Sequence, residues 1–372
     1  MKTAMVHDWL ISPTGGAENV LGEIYQMFPS PIYTLVWDPE AFKGTVFEDA
    51  LVYRSFIDRL PWGKTKFRSY LPLFPMAIEQ FDLKSYDLIL SSSHCVAKGV
   101  QRHPDQLHIC YCNTPMRYAW DLSKDYLRDA GIDQGLKGSV ARFFLQNLQD
   151  WDVLSSLRVD HFIANSKFIR ERIQRIYGRD ATVIYPPVRT DYYQMGKKKE
   201  DFYLTASRLV AYKKIDLIVE AFSRMPHRKL VVIGDGPEMK KIKNKAKKNV
   251  ELMGYQTNEV LREMMQKAKA FVFAAVEDFG ILPIEAMATG TPVIALRKGG
   301  VAETVVDGVT GQFFEEQSAS SIRDAIEQFE RHERWESNVI RMHALQFSSG
   351  RFREEYRTFI ETKMAIFNRV KE

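Results

Sequence analysis

Two glutamates eight positions apart, Glu277 and Glu285, enclose Phe279-Gly280-Ile281-Leu282-Pro283, and carboxylates so placed suit either acid–base work or the gripping of hydroxyls. Apolar Phe271-Val272-Phe273-Ala274-Ala275 reads as a buried parallel strand. Glu277 then falls just past its carboxyl end, where open α/β sheets bind ligands. Gly280 permits close backbone approach, Pro283 suits the first turn of a helix, and the free N–H groups of such a turn attract a diphosphate. Glu285, about two turns further on, is then placed for ribose hydroxyls. On this reading the pair is a clamp on a sugar nucleotide rather than an acid and a base, and neither carboxyl needs a shifted pKa.

Arg208 follows the apolar run Phe202-Tyr203-Leu204-Thr205-Ala206, and Lys213 stands five residues later, before the helical pattern of 215–222. Two cations there stabilise charge developing on a phosphate leaving group, a term on which electrostatic catalysis draws heavily. The alternative is a pair of surface cations on a loop. The ordered company of Arg208, Lys213, Glu277 and Glu285 favours the site. Gly299-Gly300-Val301-Ala302-Glu303 either sets helix amides against phosphate with Glu303 beside them, or forms a tight turn whose glutamate caps the helix. Asp235-Gly236-Pro237 reads chiefly as a turn into a helix.

These residues need sheets to hold them, and strands alternate with helices twice along the chain, which argues for two doubly wound units. In the first half, strands are expected at 4–6, 32–36, 87–90, 107–110 and 160–164, with a helix opened by Gly15-Gly16-Ala17-Glu18. In the second half they are expected at 202–206, 229–233, 250–253, 270–273 and 292–295. Tyr185-Pro186-Pro187-Val188 and the polar stretch 196–200 interrupt any helix between the halves. The predicted domains are 1–190, 191–350 and a helical tail, 351–372, long enough to return to the first domain.

A chain of 372 residues with 45% hydrophobic and 27% charged residues is globular and of two-domain size. Three cysteines, Cys95, Cys110 and Cys112, make neither a CxxC pair nor a zinc pattern. No metal site is expected. The start lacks the apolar core of a signal peptide and no apolar run approaches a membrane span, so a cytoplasmic location is expected, with contact at the inner face of the cell membrane as an option. Net charge is +5. The stretch 53–71, which contains Arg59, Trp62, Lys64, Lys66 and Arg68, mixes cations with aromatics, as a surface meeting anionic headgroups would; its alternative is a helix pair whose aromatics face the core. The lysines of 240–248 read as the solvated face of a helix. No nucleic-acid module accompanies either. Gly234-Asp235-Gly236 lacks the third glycine of a dinucleotide fingerprint, Gly63-Lys64-Thr65 lacks the P-loop's first glycine, and neither HExxH nor GxSxG occurs.

With those readings excluded, the chain resembles the retaining glycosyltransferases of family 4, of GT-B fold. The resemblance is carried by Ser207-Arg208-Leu209 with Lys213, Gly234-Asp235-Gly236-Pro237, Glu277 through Glu285, Gly299 through Glu303, Asp307-Gly308, Thr310-Gly311 and the amino-terminal Gly15-Gly16-Ala17-Glu18. Ser92-Ser93-His94-Cys95, Thr114-Pro115-Met116-Arg117-Tyr118-Ala119-Trp120-Asp121, Ala164-Asn165-Ser166 and Tyr185-Pro186-Pro187-Val188 are similar to bacterial mannosyltransferases of O-antigen and exopolysaccharide synthesis. The resemblance implies two Rossmann-like domains facing a cleft, a GDP-mannose donor, and a glycan or lipid-linked acceptor. It implies no cofactor and no metal. Arg208 and Lys213 would hold the diphosphate, Glu277 a sugar hydroxyl and Glu285 the ribose. Amides of Phe279, Gly280 and Ile281, Gly15 and Gly16 from across the cleft, and Glu303 would complete the donor site. The leaving phosphate would itself deprotonate the acceptor on the same face.

One position departs from the family pattern. A histidine commonly precedes the Thr-Pro step near the reacting sugar, and here the residue is Asn113, which hydrogen-bonds but carries no proton at neutral pH. His94, Asn113 and Arg117 are the acceptor-side candidates, with Trp120 and Asp121 nearby in sequence. His94 has a plainer alternative as a strand-end histidine satisfied by backbone groups. A UDP-sugar donor, a GT-B sugar-nucleotide epimerase and a binding protein with a decayed site are the competing functional readings.

Overall fold

The computed structural model describes residues 2–120, 135–332 and 334–371. Two compact units divide the chain, Met1–Pro186 with Phe352–Glu372, and Pro187–Arg351.

The first unit is built on a seven-stranded sheet, every pair parallel. Its strands are β1 (Thr3–His7), β2 (Ile32–Thr34), β3 (Val52–Arg54), β4 (Leu88–Ser93), β5 (Leu107–Cys112), β6 (His161–Ala164) and β7 (Ala181–Val183). Their order is β3-β2-β1-β4-β5-β6-β7. Side chains alternate between two cores, Ala4, Val6 and Ile89 in one, Met5, Leu88 and Leu90 in the other, because both faces of a parallel sheet are covered. The periodicity of the sequence shows β1, β2, β4, β5 and β6 but misses β3 and β7. Those two are three-residue edge strands, partly exposed, and carry no apolar run.

The second unit holds six parallel strands, β8 (Phe202–Ala206), β9 (Lys229–Ile233), β10 (Val250–Gly254), β11 (Ala270–Phe273), β12 (Val293–Leu296) and β13 (Gly311–Phe314), in the order β10-β9-β8-β11-β12-β13. Of these only β13 escapes the sequence pattern, since it opens on a glycine and carries Gln312 among its four residues. Helices pack a core of Ile218, Val219, Phe222, Ile322 and Ile326 against Leu230, Val232, Val272 and Ile294. Local signals set several helix starts: Ser166 accepts the Ile169 amide at 3.0 Å, and Ser318 accepts that of Ser321 at 3.2 Å.

The final helix, Ser349–Lys371, returns to the first unit as the sequence predicts. Phe352, Tyr356 and Ile360, spaced four apart on one face, are buried there among Leu21, Ile24 and Tyr111. The stretch 53–71 forms short 3-10 turns, Phe56–Arg59 and Phe67–Leu73, not a pair of α-helices. Ile57, Phe67 and Leu71 are buried, while Trp62 stays 70% exposed and Arg59, Lys64, Lys66 and Arg68 face solvent. The lysine-rich run contains the helix Met239–Lys245, where Lys241 and Lys245 pair with Asp216, Glu220 and Glu238.

Candidate functional site

Each sheet reverses its winding once. In the second unit the reversal lies between β8 and β11. Loops diverge at such a switch point, leaving a crevice at the carboxyl ends of the strands. Arg208 leaves β8 and Glu277 leaves β11 there, so the sequence-predicted pair of motifs meets where the topology opens.

The loops are held backbone to backbone. Leu209 N–H donates to the Asp235 carbonyl at 2.9 Å, Glu238 N–H to that of Leu209 at 3.0 Å, and Gly300 N–H to that of Glu277 at 2.9 Å. Gly234 has φ 134°, and a Cβ on it would overlap the Ser207 carbonyl oxygen, so glycine is required for this close approach. Four loops thus share one layer. The glycine motifs of the sequence are its joints, which gives Gly234-Asp235-Gly236 a structural duty in positioning Arg208.

On that layer Lys213 Nζ pairs with the Glu277 carboxylate. Both side chains are largely buried, at 16% and 19% exposure, so the contact is shielded enough to be electrostatically strong. Arg208 is exposed and has no side-chain partner among the described residues. Gly280, with φ 90°, precedes the helix Ile281–Ala288, whose first amides have no intrahelical acceptor. Phe279 offers only its backbone in that direction, because its ring is buried against Phe347. Glu303 sits half-buried in the four-residue helix Val301–Thr304.

Glu285 differs from the sequence expectation in its protonation. Burial pushes its carboxyl up to about 7, opposed by the Arg189 guanidinium and the Tyr193 hydroxyl. Near neutrality it therefore exists in both states and presents a donor as well as an acceptor. Sequence reasoning missed this because the burial that raises it is set by tertiary packing, and the opposing Tyr193 and Arg189 lie over ninety residues away.

In the first unit the winding reverses between β1 and β4. The residues after those strands are Asp8 and His94, and they meet. Asp8 is fully buried and accepts the amides of His94 at 2.6 Å, Cys95 at 3.1 Å, Val96 at 2.6 Å and Ala97 at 2.8 Å. His94 Nδ1 lies 3.0 Å from Asp8 Oδ2, a contact bent away from hydrogen-bond geometry. His94 is therefore partnered by a carboxylate and not by backbone groups alone. Gly15 and Gly16 begin the neighbouring helix, Gly16–Met27, and Glu18 of its first turn folds back so that a Cβ on Gly15 would overlap its carboxylate. Burial raises the Glu18 pKa, and the His94 charge opposes this.

Asn113, at the end of β5, is also drawn in. Its Nδ2 donates to Ser92 Oγ at 3.1 Å, and the Ser92 carbonyl faces His7 Nδ1 at 3.0 Å. Arg117 is half-buried a turn further on. Trp120 is occupied structurally, its indole donating to Asp152 Oδ2 at 2.8 Å, and Asp121 lies outside the described residues. Asp8 and His7 are members the sequence reading did not single out, and Ser92 and Glu18 figured there only as parts of motifs. The usable signal was an aspartate directly after an apolar strand.

Two doubly wound parallel units, each with polar residues at its own switch point, define the GT-B class of fold. Residues 14–192 match the model of Glycosyltransferase Family 4 and residues 193–342 that of Glycosyl transferases group 1. The chain belongs to the family 4 glycosyltransferases. Over 173 residues it is 31% identical to an uncharacterized glycosyltransferase of Methanocaldococcus jannaschii, covering 45% of this chain and 48% of that protein. Over 192 residues it is 29% identical to the GDP-mannose-dependent alpha-(1-6)-phosphatidylinositol monomannoside mannosyltransferase of Mycolicibacterium smegmatis, covering 43% and 50%. The chain thus spans about half the length of these two relatives. Among solved structures, HepE of Anabaena in complex with UDP superimposes with TM-score 0.70 over 97% of this chain and 100% of that one. At 16% identity that likeness is one of fold.

Proposed function

We propose that this protein is a retaining hexosyltransferase that moves mannose from GDP-mannose to a lipid-linked or polysaccharide acceptor in cell-surface glycan synthesis. The observation that carries the reading is the Lys213–Glu277 pair at the second sheet's switch point, with the uncommitted Arg208 guanidinium on the adjoining loop. In this reading Lys213 and Arg208 neutralise the departing diphosphate, and Glu277 both orients Lys213 and accepts a sugar hydroxyl. Glu285 holds the ribose, and amides of Gly280 and Ile281 meet phosphate oxygens. Glu303 completes the donor site on this unit. The acceptor hydroxyl attacks from the side of the leaving group, which takes its proton, so no protein nucleophile and no metal takes part.

Mannose is favoured by the mycolicibacterial relative, whose name states a GDP-mannose donor. A UDP-sugar is the donor to set against it, since HepE was crystallised with UDP. No described helix is long and apolar enough to cross a membrane, and a lipid-linked acceptor is reached in this proposal from the inner membrane face through the exposed cations near Trp62.

Thermal shift with GDP-mannose, UDP-glucose and UDP-GlcNAc tests the donor, because a ligand bound only by the native state raises the melting temperature. GDP-mannose is expected to give the largest rise. No rise with any of the three sinks the reading. Lys213→Ala and Glu277→Ala are each expected to lower transfer by about 10²-fold or more with the fold retained. Wild-type turnover in either variant overturns the site assignment.

A further inference from the structure

The first unit's switch point gathers more proton-bearing groups than loop anchoring requires. Four backbone amides already satisfy the buried Asp8 carboxylate, yet His94 Nδ1 is held 3.0 Å from it as well. Two bare lone pairs at that distance repel, so the contact, though bent from hydrogen-bond geometry, favours a proton on Nδ1, and in the uncharged tautomer Nε2 is then the bare nitrogen. That nitrogen has no protein partner among the described residues, and the side chain keeps 20% exposure. Trp9 stands edge-on to the ring at 4.5 Å and fixes its plane.

A second observation points the same way. His7 faces the Ser92 carbonyl through Nδ1, leaving its Nε2 fully buried without a hydrogen-bond partner. An orphaned buried acceptor in a polar cluster calls for a hydroxyl or a water. Its ring centre lies 5.7 Å from that of His94. Burial first, and then the charge that a proton on His94 would bring, hold the His7 pKa down to about 4, so His7 is a neutral acceptor at physiological pH. The charged groups facing this place are Asp8 from β1, Glu18 from the helix Gly16–Met27, and Arg68, whose guanidinium lies 5.4 Å from the Trp9 ring centre.

We infer that His94, with its tautomer fixed by Asp8, accepts a hydrogen bond from the hydroxyl of the sugar acceptor at Nε2, and that Asp8 is its positioning residue. The inference rests on the proposed transferase reading. It gives the acceptor side a neutral hydrogen-bond acceptor where Asn113 supplies only an amide, already committed to Ser92. His94 aligns the hydroxyl and raises the electron density on its oxygen, and no proton transfer to protein is invoked.

Nitrogen-15 spectra of protein labelled at its eight histidines, taken at about pH 8 where a histidine of ordinary pKa is neutral, read the tautomer directly. His94, assigned by its loss in His94→Gln, is expected to show a protonated Nδ1 and a bare Nε2. The reverse tautomer overturns the inference. Asp8→Asn is expected to abolish the preference, and because loss of four amide contacts can also unfold this variant, His94→Gln and His94→Ala carry the functional arm.

With GDP-mannose as donor and octyl α-D-mannopyranoside as acceptor probe, His94→Ala is expected to raise the acceptor KM or lower kcat by about tenfold or more, at unchanged donor thermal shift, with partial recovery in His94→Gln. Wild-type transfer kinetics in His94→Ala overturn the inference and leave the transferase reading standing. Absence of any nucleotide-sugar shift in the wild type defeats the transferase reading itself. Epimerisation of UDP-GlcNAc that depends on His94 and needs no acceptor overturns both.

Discussion

At the carboxyl edge of the first sheet the loops are tied by buried side chains, whereas at the second they are tied backbone to backbone and the charged side chains take no part in those ties. Asp8 collects four amides, and Ser92 joins His7 to Asn113. Lys98 donates to the Asp152 carbonyl and Ser155 Oγ, each at 2.8 Å, and forms an ion pair with Asp152 Oδ1 at the same distance, while Tyr177 and Trp120 donate to Asp152 Oδ2. In the second unit Gly234 and Gly300 bring the loops together, and Lys213, Glu277 and Arg208 stand on the result. A buried polar network specifies one geometry but fails badly when one member is removed. A glycine-jointed layer leaves its side chains replaceable for chemistry without loss of the fold.

The comparison breaks most visibly at Lys98. Its side chain is 1% exposed and that of Asp152 is fully buried, so Lys98→Met leaves a carboxylate without its cation and is expected to cost about 3–5 kcal/mol in chemical denaturation. A cost below about 1 kcal/mol would show that the network does not anchor the first unit.

Acid and alkali separate the two regions next. His7 has a folded pKa of about 4 against an ordinary 6.5, so the unfolded chain binds a proton that the fold refuses. Stability from this group is complete above pH 6.5 and is lost as pH falls towards about 4. Glu285 has a folded pKa of about 7 against 4.5, so the fold keeps a proton that the unfolded chain releases. Its contribution is complete below pH 4.5 and is lost as pH rises through about 7. Each effect amounts to at most about 3 kcal/mol. Denaturation series across this range should show His7→Gln flattening the acid limb and Glu285→Gln the alkaline one. Unchanged slopes in both would remove the contrast.

The smallest effect on stability is expected from the exposed cations of the first unit. Replacing Arg59, Lys64, Lys66 and Arg68 with glutamine should change stability by about 0.5 kcal/mol or less per site, most at Arg68, which lies over the Phe67 ring, since none of the four has an acidic partner among the described residues. Binding to phosphatidylserine vesicles should weaken by about 1 kcal/mol per cation at low salt. Unaltered vesicle binding would leave these cations as ordinary surface charge, unlike Lys98 in every respect.

Much of the second unit was legible in the sequence because its signals are local. Glu277, Gly280, Pro283 and Glu285 lie in one short stretch, and the run before Glu277 is apolar throughout. Five strands of that unit read correctly from hydrophobic runs, while β13 did not because Gly311 and Gln312 break the run. Burial of Glu285 beside Tyr193 and Arg189 was not legible, since the shift in its pKa depends on residues far away in the chain.

The sequence by itself determined two doubly wound units, the return of the last helix, and the motif residues after β8 and β11, because apolar periodicity and turn glycines act over a few residues. Only the tertiary structure decided that Asp8 meets His94, that His7 is left with a buried bare nitrogen, and that Lys98 is paired inside the fold. Those pairings join residues some fifty to ninety positions apart, and they exist because parallel strands bring distant carboxyl ends side by side.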